Sequence, residues 1–130
     1  MIKLLDNIKA SFSFRPQALT ATGNGTGVDT QGYDDAMVVL ETGAVSGTTP
    51  SMTVKIQESD DNSTFTDITG ATFTAVTASN NSQVLRVTEL NITRKRYLRA
   101  VATISGTTPS FTTACEILLG GGYQGAVNND

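Results

Sequence analysis

Hydrophobic and polar positions alternate along most of this chain, with the period of strands. Met52, Val54 and Ile56 take turns with Thr53, Lys55 and Gln57; Glu58 to Ser63 then hold no large apolar side chain, and alternation resumes around Phe65 and Ile68. Successive side chains of a strand point to opposite faces, so a period of two marks a half-buried strand. Asp, Asn and Ser favour turns because their short polar side chains bond nearby backbone groups. Ser51 to Asp67 therefore predicts a β-hairpin. Leu85 and Val87 share a face in Gln83 to Leu90, and Leu98, Ala100, Ala102 and Ile104 share one in Lys95 to Ile104. Phe111, Thr113, Cys115, Ile117 and Leu119 do the same in the last apolar stretch. Ala36 to Thr42, AMVVLET, is apolar at nearly every position and predicts a central strand covered on both faces.

Between these stretches lie turns. Gly23-Asn24-Gly25-Thr26-Gly27 invites comparison with phosphate-binding loops, but no Lys-Ser/Thr follows and no helix opens after it, so a plain turn is the better reading. Val45-Ser46-Gly47-Thr48-Thr49-Pro50-Ser51 recurs almost unchanged as Ile104-Ser105-Gly106-Thr107-Thr108-Pro109-Ser110. Two copies are too few for a solenoid and suggest two similar hairpins. Ser11 to Phe14 reads as a short extended piece stopped at Arg15-Pro16, since proline cannot donate to a ladder, and Gln17 to Thr22 offers another short strand. Ala71 to Ala78 is Thr- and Val-rich and reads as extended.

Seven or eight short strands at this spacing predict an all-β, single-domain antiparallel β-sandwich, jelly-roll-like, with an N-terminal arm. The expected division is an arm over 1–16, a β-domain over 17–119 and a flexible tail over 120–130. In the arm Ile2, Leu5 and Ile8 fall at helix-like spacing beside Leu4, and so short a free helix is marginal in water. Asp6 and Lys9 interrupt the run and no apolar core region follows, which argues against a secretory signal.

At 130 residues one core is feasible without disulfides, and the single cysteine, Cys115, excludes an internal one. Histidine and tryptophan are absent, which removes the commonest neutral-pH base and the best stacking platform. A net charge of −3 opposes broad binding to a phosphate backbone, and no apolar run is long enough to span a membrane. Neither nucleic acid nor membrane is an expected partner, and no cofactor or metal is implied.

Candidate chemistry is sparse. Asp60, Asn62 and Thr64 sit at alternating positions of a calcium loop, but Phe65 and Ala71 stand where the EF-hand needs Gly and Glu. Asp34, Asp35, Asp60 and Asp61 could form carboxylate pairs for glycoside chemistry only if buried. Cys115 lies on an apolar face without a histidine partner and reads as a buried thiol rather than a nucleophile. Arg94, Lys95, Arg96 and Arg99 form one basic cluster, either a polar contact patch or a strand start whose charges balance nearby acids. No residue is nominated as catalytic, and the chain is not expected to be an enzyme.

Gly25-Thr26-Gly27-Val28-Asp29, Gly32-Tyr33-Asp34, the hairpin Gln57 to Asp67 and Lys95-Arg96-Tyr97-Leu98-Arg99 together resemble small virion structural proteins of tailed bacteriophages. The likeness covers roughly Leu19 to Leu119 and lies in hairpin and strand signals. It implies a capsid decoration, or cement, protein: a β-domain on the head shell, commonly trimeric, that binds the major capsid protein. Such a protein is made in the host cytoplasm and carried on the virion. On this reading Ile2, Leu4, Leu5 and Ile8 anchor the arm on the shell or a neighbouring subunit, Phe12 and Phe14 extend the contact by strand addition, and Arg15 belongs to the same interface. The alternatives are a tail or baseplate sugar-binding module using Tyr33, Tyr97 and Tyr123, and a head–tail connector or tail-ring component.

Overall fold

The computed structural model describes residues 8–121, and over these the chain is all-β. The strands are β1 (Lys9–Leu19), β2 (Gly23–Asn24), β3 (Val28–Asp29), β4 (Asp35–Ser59), β5 (Thr66–Thr72), β6 (Asn81–Val87) and β7 (Tyr97–Gly120). All seven belong to one antiparallel sheet. Residues 1–7 of the expected arm and 122–130 of the expected tail fall outside the described residues, and Gly120, expected to open the tail, instead closes β7 opposite Asp35.

Two long strands carry the architecture. β4 and β7 pair along their whole length, from Asp35 opposite Gly120 to Ser59 opposite Tyr97. On the first half of this ribbon β6 pairs with β4 and β1 with β7; on the second half β5 pairs with β4, and β2 and β3 with β7. Val38, Leu40, Ile117 and Leu119 from the first half are fully buried, as are Met52, Ile56, Leu98 and Ala102 from the second, and all belong to one core. The two layers are thus halves of one sheet folded across its own apolar face. Alternation explains the burial: inward positions are apolar at every second residue of both strands.

The repeated SGTTPS segments make the fold possible, and not as two hairpins. They face each other across the middle of the ribbon, with Ser46 opposite Ser110 and Ser51 opposite Ser105. Each glycine adopts the left-handed region, φ 113° at Gly47 and 117° at Gly106. A Cβ on Gly47 would lie 2.8 Å from Pro109 Cα, and one on Gly106 2.9 Å from Pro50 Cα. Glycine in one copy thus makes room for proline in the other, twice over. An antiparallel pair has local two-fold symmetry, so a bend crossing both strands needs the same turn chemistry in each. The expectation of separate hairpins is corrected to one self-facing double bend.

β1 also departs from expectation. Arg15-Pro16 does not stop it; the strand continues to Leu19 through register shifts at Phe12/Phe14 and Phe14/Gln17. A bulge leaves one residue unpaired, which is where a proline without an N–H is tolerated. The shift turns Ser13 inward, so that two consecutive residues, Ser13 and Phe14, are buried. Ser13 Oγ accepts the Ala100 N–H at 2.8 Å and donates to the Thr26 carbonyl at 2.9 Å. Gly25 packs against Ser13 so closely that a Cβ would overlap it. Here the glycine-rich loop finds its use, as a seat for β1. The boundary expected at residue 16 falls inside this strand, and removing Met1 to Arg15 would extract part of the core.

The β4–β5 hairpin forms as expected, with Ser59 and Thr66 flanking its tip. Ala71 to Ala78 is only partly extended: β5 ends at Thr72, and the following segment is tied to Met52 and Val54 through Val76 and Phe73.

Candidate functional site

The segments that carried the phage resemblance converge at one end of the domain. Arg96 donates from Nε and Nη2 to the two carboxylate oxygens of Asp29, at 2.8 and 2.7 Å. That fork holds the Asp29 carboxyl below its ordinary range, helped by the Gln31 N–H. Arg99 donates to Gln57 Oε1 at 2.8 and 3.0 Å while its guanidinium lies 4.0 Å from the Phe65 ring centre. Gly27 leaves space for Asn62 and Phe65, and Glu58 accepts the Lys95 N–H at 2.9 Å. Arg94 reaches Glu58 at 3.7 Å and Lys95 reaches Asp60 at 4.0 Å. Arg94, Lys95, Arg96 and Arg99 are therefore each engaged by the domain's own polar groups, Arg96 tying β3 and the other three tying the hairpin to the start of β7.

The other candidates scatter. Asp60 and Asp61 stand at the exposed hairpin tip, whereas Asp34 and Asp35 lead into β4. Asp61 Oδ1 accepts the N–H groups of Thr64 and Ser63 and the Ser59 hydroxyl, which holds its carboxyl at about 2. So acidic a carboxyl, its lone pairs taken up by the turn, shapes the tip around Asn62, whose φ is 59°. Cys115 is fully buried, and burial pushes its thiol up to about 12. Tyr33 is 6% exposed and belongs to the core, so it offers no ring face to a sugar; Tyr97 lies beside Arg96, and Tyr123 is outside the described residues.

Of the proposed arm contacts, Ile2, Leu4 and Leu5 lie outside the described residues. Phe14 is buried in the core and cannot also serve a partner. Phe12 is half-buried, Arg15 is exposed beside the bulge, and Ile8 is 39% exposed.

Ile8 leads to the feature that periodicity missed. The layer ordered β6–β4–β7–β1 has a second face, pointing away from the core. Its rows are read from the register: Arg86, Met37, Leu118 and Ala10 across one, and Val84, Val39, Glu116 and Phe12 across the next. Met37 is 42% and Val84 59% exposed. Ile8, Met37, Leu118 and Gly120 line an open apolar depression of about 480 Å³, with Asp35 and Arg86 at its rim. The β4 segment expected to be covered on both faces is covered on one by the described residues. The signal was present, because Met37, Val39, Val84 and Leu118 occupy outward positions where a solvated sheet carries polar residues.

The described residues thus define a one-sheet β-domain with a self-facing bend, an ion-paired end and an apolar sheet face that no other described strand covers. No protein-family model matches the chain, and no curated protein matches it. Among solved structures, the PBSX exported protein XepA superposes over 95% of this chain with a TM-score of 0.59 at 21% identity. The chain spans 40% of the length of XepA. The SPBc2 prophage-derived protein YomS aligns over 92% of this chain and 97% of its own at a TM-score of 0.49 and 14% identity. At 21% identity the first match shows a shared fold.

Proposed function

We propose that this chain is a non-catalytic structural protein of a tailed-phage particle, which decorates the assembled head shell through the outer face of the β6–β4–β7–β1 layer. The observation behind this reading is the apolar surface formed by Ile8, Met37 and Leu118 on a regular sheet, which no other described strand covers. Apolar area left in water on a well-packed domain favours a partner that removes it, by roughly 25 cal/mol per Å². The partner surface is an apolar patch of the major capsid protein, with Arg86 and Asp35 at the rim setting its orientation. A protein that binds only the assembled shell stabilises that shell by mass action, and many copies multiply the effect. The fold shared with the PBSX exported protein XepA supports this reading.

A second reading takes its support from XepA, which is described as exported and of which this chain spans 40%. On that reading the domain is one module of a particle-external or secreted phage protein. Co-sedimentation with undecorated shells separates the two. The wild-type protein should bind saturably, and Met37→Lys should bind at least about tenfold more weakly at unchanged melting temperature. Undiminished binding by Met37→Lys would remove the outer face from the account. A wild-type chain that ignores shells would favour the exported module.

A further inference from the structure

Four sets of edge strands bound the sheet, and three of them are blunted. β1 carries two register shifts, Pro16 and the charges of Lys9 and Arg15. β5 is interrupted by the shift between Lys55 and Gln57, carries Gly70 at φ 84°, and bears the ion pair of Asp67 with Lys55 at 3.0 Å. β2 and β3 are two residues each. β6 differs from all of these. It pairs with β4 in unbroken register from Val87 opposite Ala36 to Asn81 opposite Thr42, contains neither proline nor lysine, and pairs with no other described strand. An unprotected edge presents a row of unpaired N–H and C=O groups and templates the addition of another strand.

We propose that β6 is a homotypic docking edge, on which β6 of a second copy pairs antiparallel about a two-fold axis at Val84. Its outward side chains favour that partner and register. With Val84 opposite the partner's Val84, Arg86 lies opposite the partner's Ser82. Ser82 Oγ already donates to Glu41 at 2.7 Å, so a guanidinium arriving across Ser82 meets a carboxylate from the neighbouring strand, and the axis repeats the contact. A two-fold at Arg86 would oppose like charges, which is destabilising. The half-buried Gln83 and Leu85 face each other across the same axis on the opposite side of the sheet. The product is one sheet running through both copies, isologous and closed. It is a pair, not the trimer that the phage resemblance implies. The inference goes beyond the shell-binding reading and stands whether or not the outer face engages a capsid.

The test is the native mass of the full chain by sedimentation across a concentration series. The expected result is a dimer of twice 13.6 kDa. Val84→Lys and Val84→Glu should each dissociate at least about tenfold more readily, because like charges would meet on the axis, and mixing the two variants should restore the dimer. Val84→Cys should form a disulfide-linked dimer on mild oxidation while Ile92→Cys, 71% exposed on a different element, should not; Cys115 is buried and stays silent. A wild-type chain that is monomeric at every concentration overturns the proposal. So does any oligomer whose mass is unmoved by Val84→Lys.

Discussion

The two faces of the β6–β4–β7–β1 layer come from the same strands and both carry large apolar side chains, the outer ones set among Arg86, Glu116 and Glu41, yet they have opposite fates. Inward, Val38, Leu40, Ile117 and Leu119 are fully buried under the second half of their own ribbon. Outward, Met37 and Leu118 alternate with them and are covered by no described residue to the same degree, while Val84 remains 59% exposed. Alternation along a strand states which residues share a face. It does not state whether a layer will be laid over that face. Both faces carry large apolar side chains, and the described residues cover one of them.

The largest expected effect separates the faces directly. Leu40→Ala or Ile117→Ala should cost about 2–5 kcal/mol in urea unfolding, because each leaves a cavity in a core that cannot fully collapse. Met37→Ala should change stability by less than about 0.5 kcal/mol, since no packed layer is lost. A comparable loss at both positions would break the comparison.

The double bend creates the distinction between inside and outside, so it is the next place to press. Gly47→Val or Gly106→Val should cost roughly 2–4 kcal/mol, combining a strained positive φ with overlap onto the facing proline. The double substitution should cost less than the sum, because both act on one bend. Strict additivity would mean the segments behave as separate turns.

Acid sharpens the comparison from outside it. Asp61 is held at about 2, below an ordinary carboxyl, so its contribution is present above pH ~4 and lost as pH falls toward 2. Proton exchange at the Ser63 and Thr64 amides should rise over that window relative to Asp61→Asn, with the burial of both sheet faces unchanged. An acid response absent from the tip amides would remove Asp61 as its organiser. The smallest effect concerns Thr49 and Thr108, β-branched residues at φ 48° and 46°. Replacing either by Gly should be neutral or stabilising by up to about 1 kcal/mol, and a clear destabilisation would show that their hydroxyl contacts to the preceding carbonyls matter more than the backbone strain.

Much of the fold was legible, and the reasons for the gaps are physical. The hairpin at Ser51 to Asp67 and the inward residues of β4 and β7 follow from period-two alternation, a local property. The echo of SGTTPS was visible, but its meaning depends on which strand lies opposite, which periodicity does not encode. Proline at 16 looked like a stop because a bulge needs a partner strand before it can be recognised. The groups that engage Arg94 to Arg99 are distant in sequence, Asp29 lying 67 residues before Arg96 and Gln57 42 before Arg99. The open face was hidden for the opposite reason: AMVVLET promised two covers, and among the described residues only one is present.

Methionine oxidation tests the central claim most directly, because the chain supplies its own contrast. Met37 is 42% exposed on the outer face and Met52 is fully buried in the core. In dilute free protein, peroxide should convert Met37 to sulfoxide much faster than Met52, read by peptide mass spectrometry. On the assembled particle Met37 should become nearly as protected as Met52. A Met37 that oxidises on the particle as fast as in the free protein would contradict the claim that this face is built to be covered.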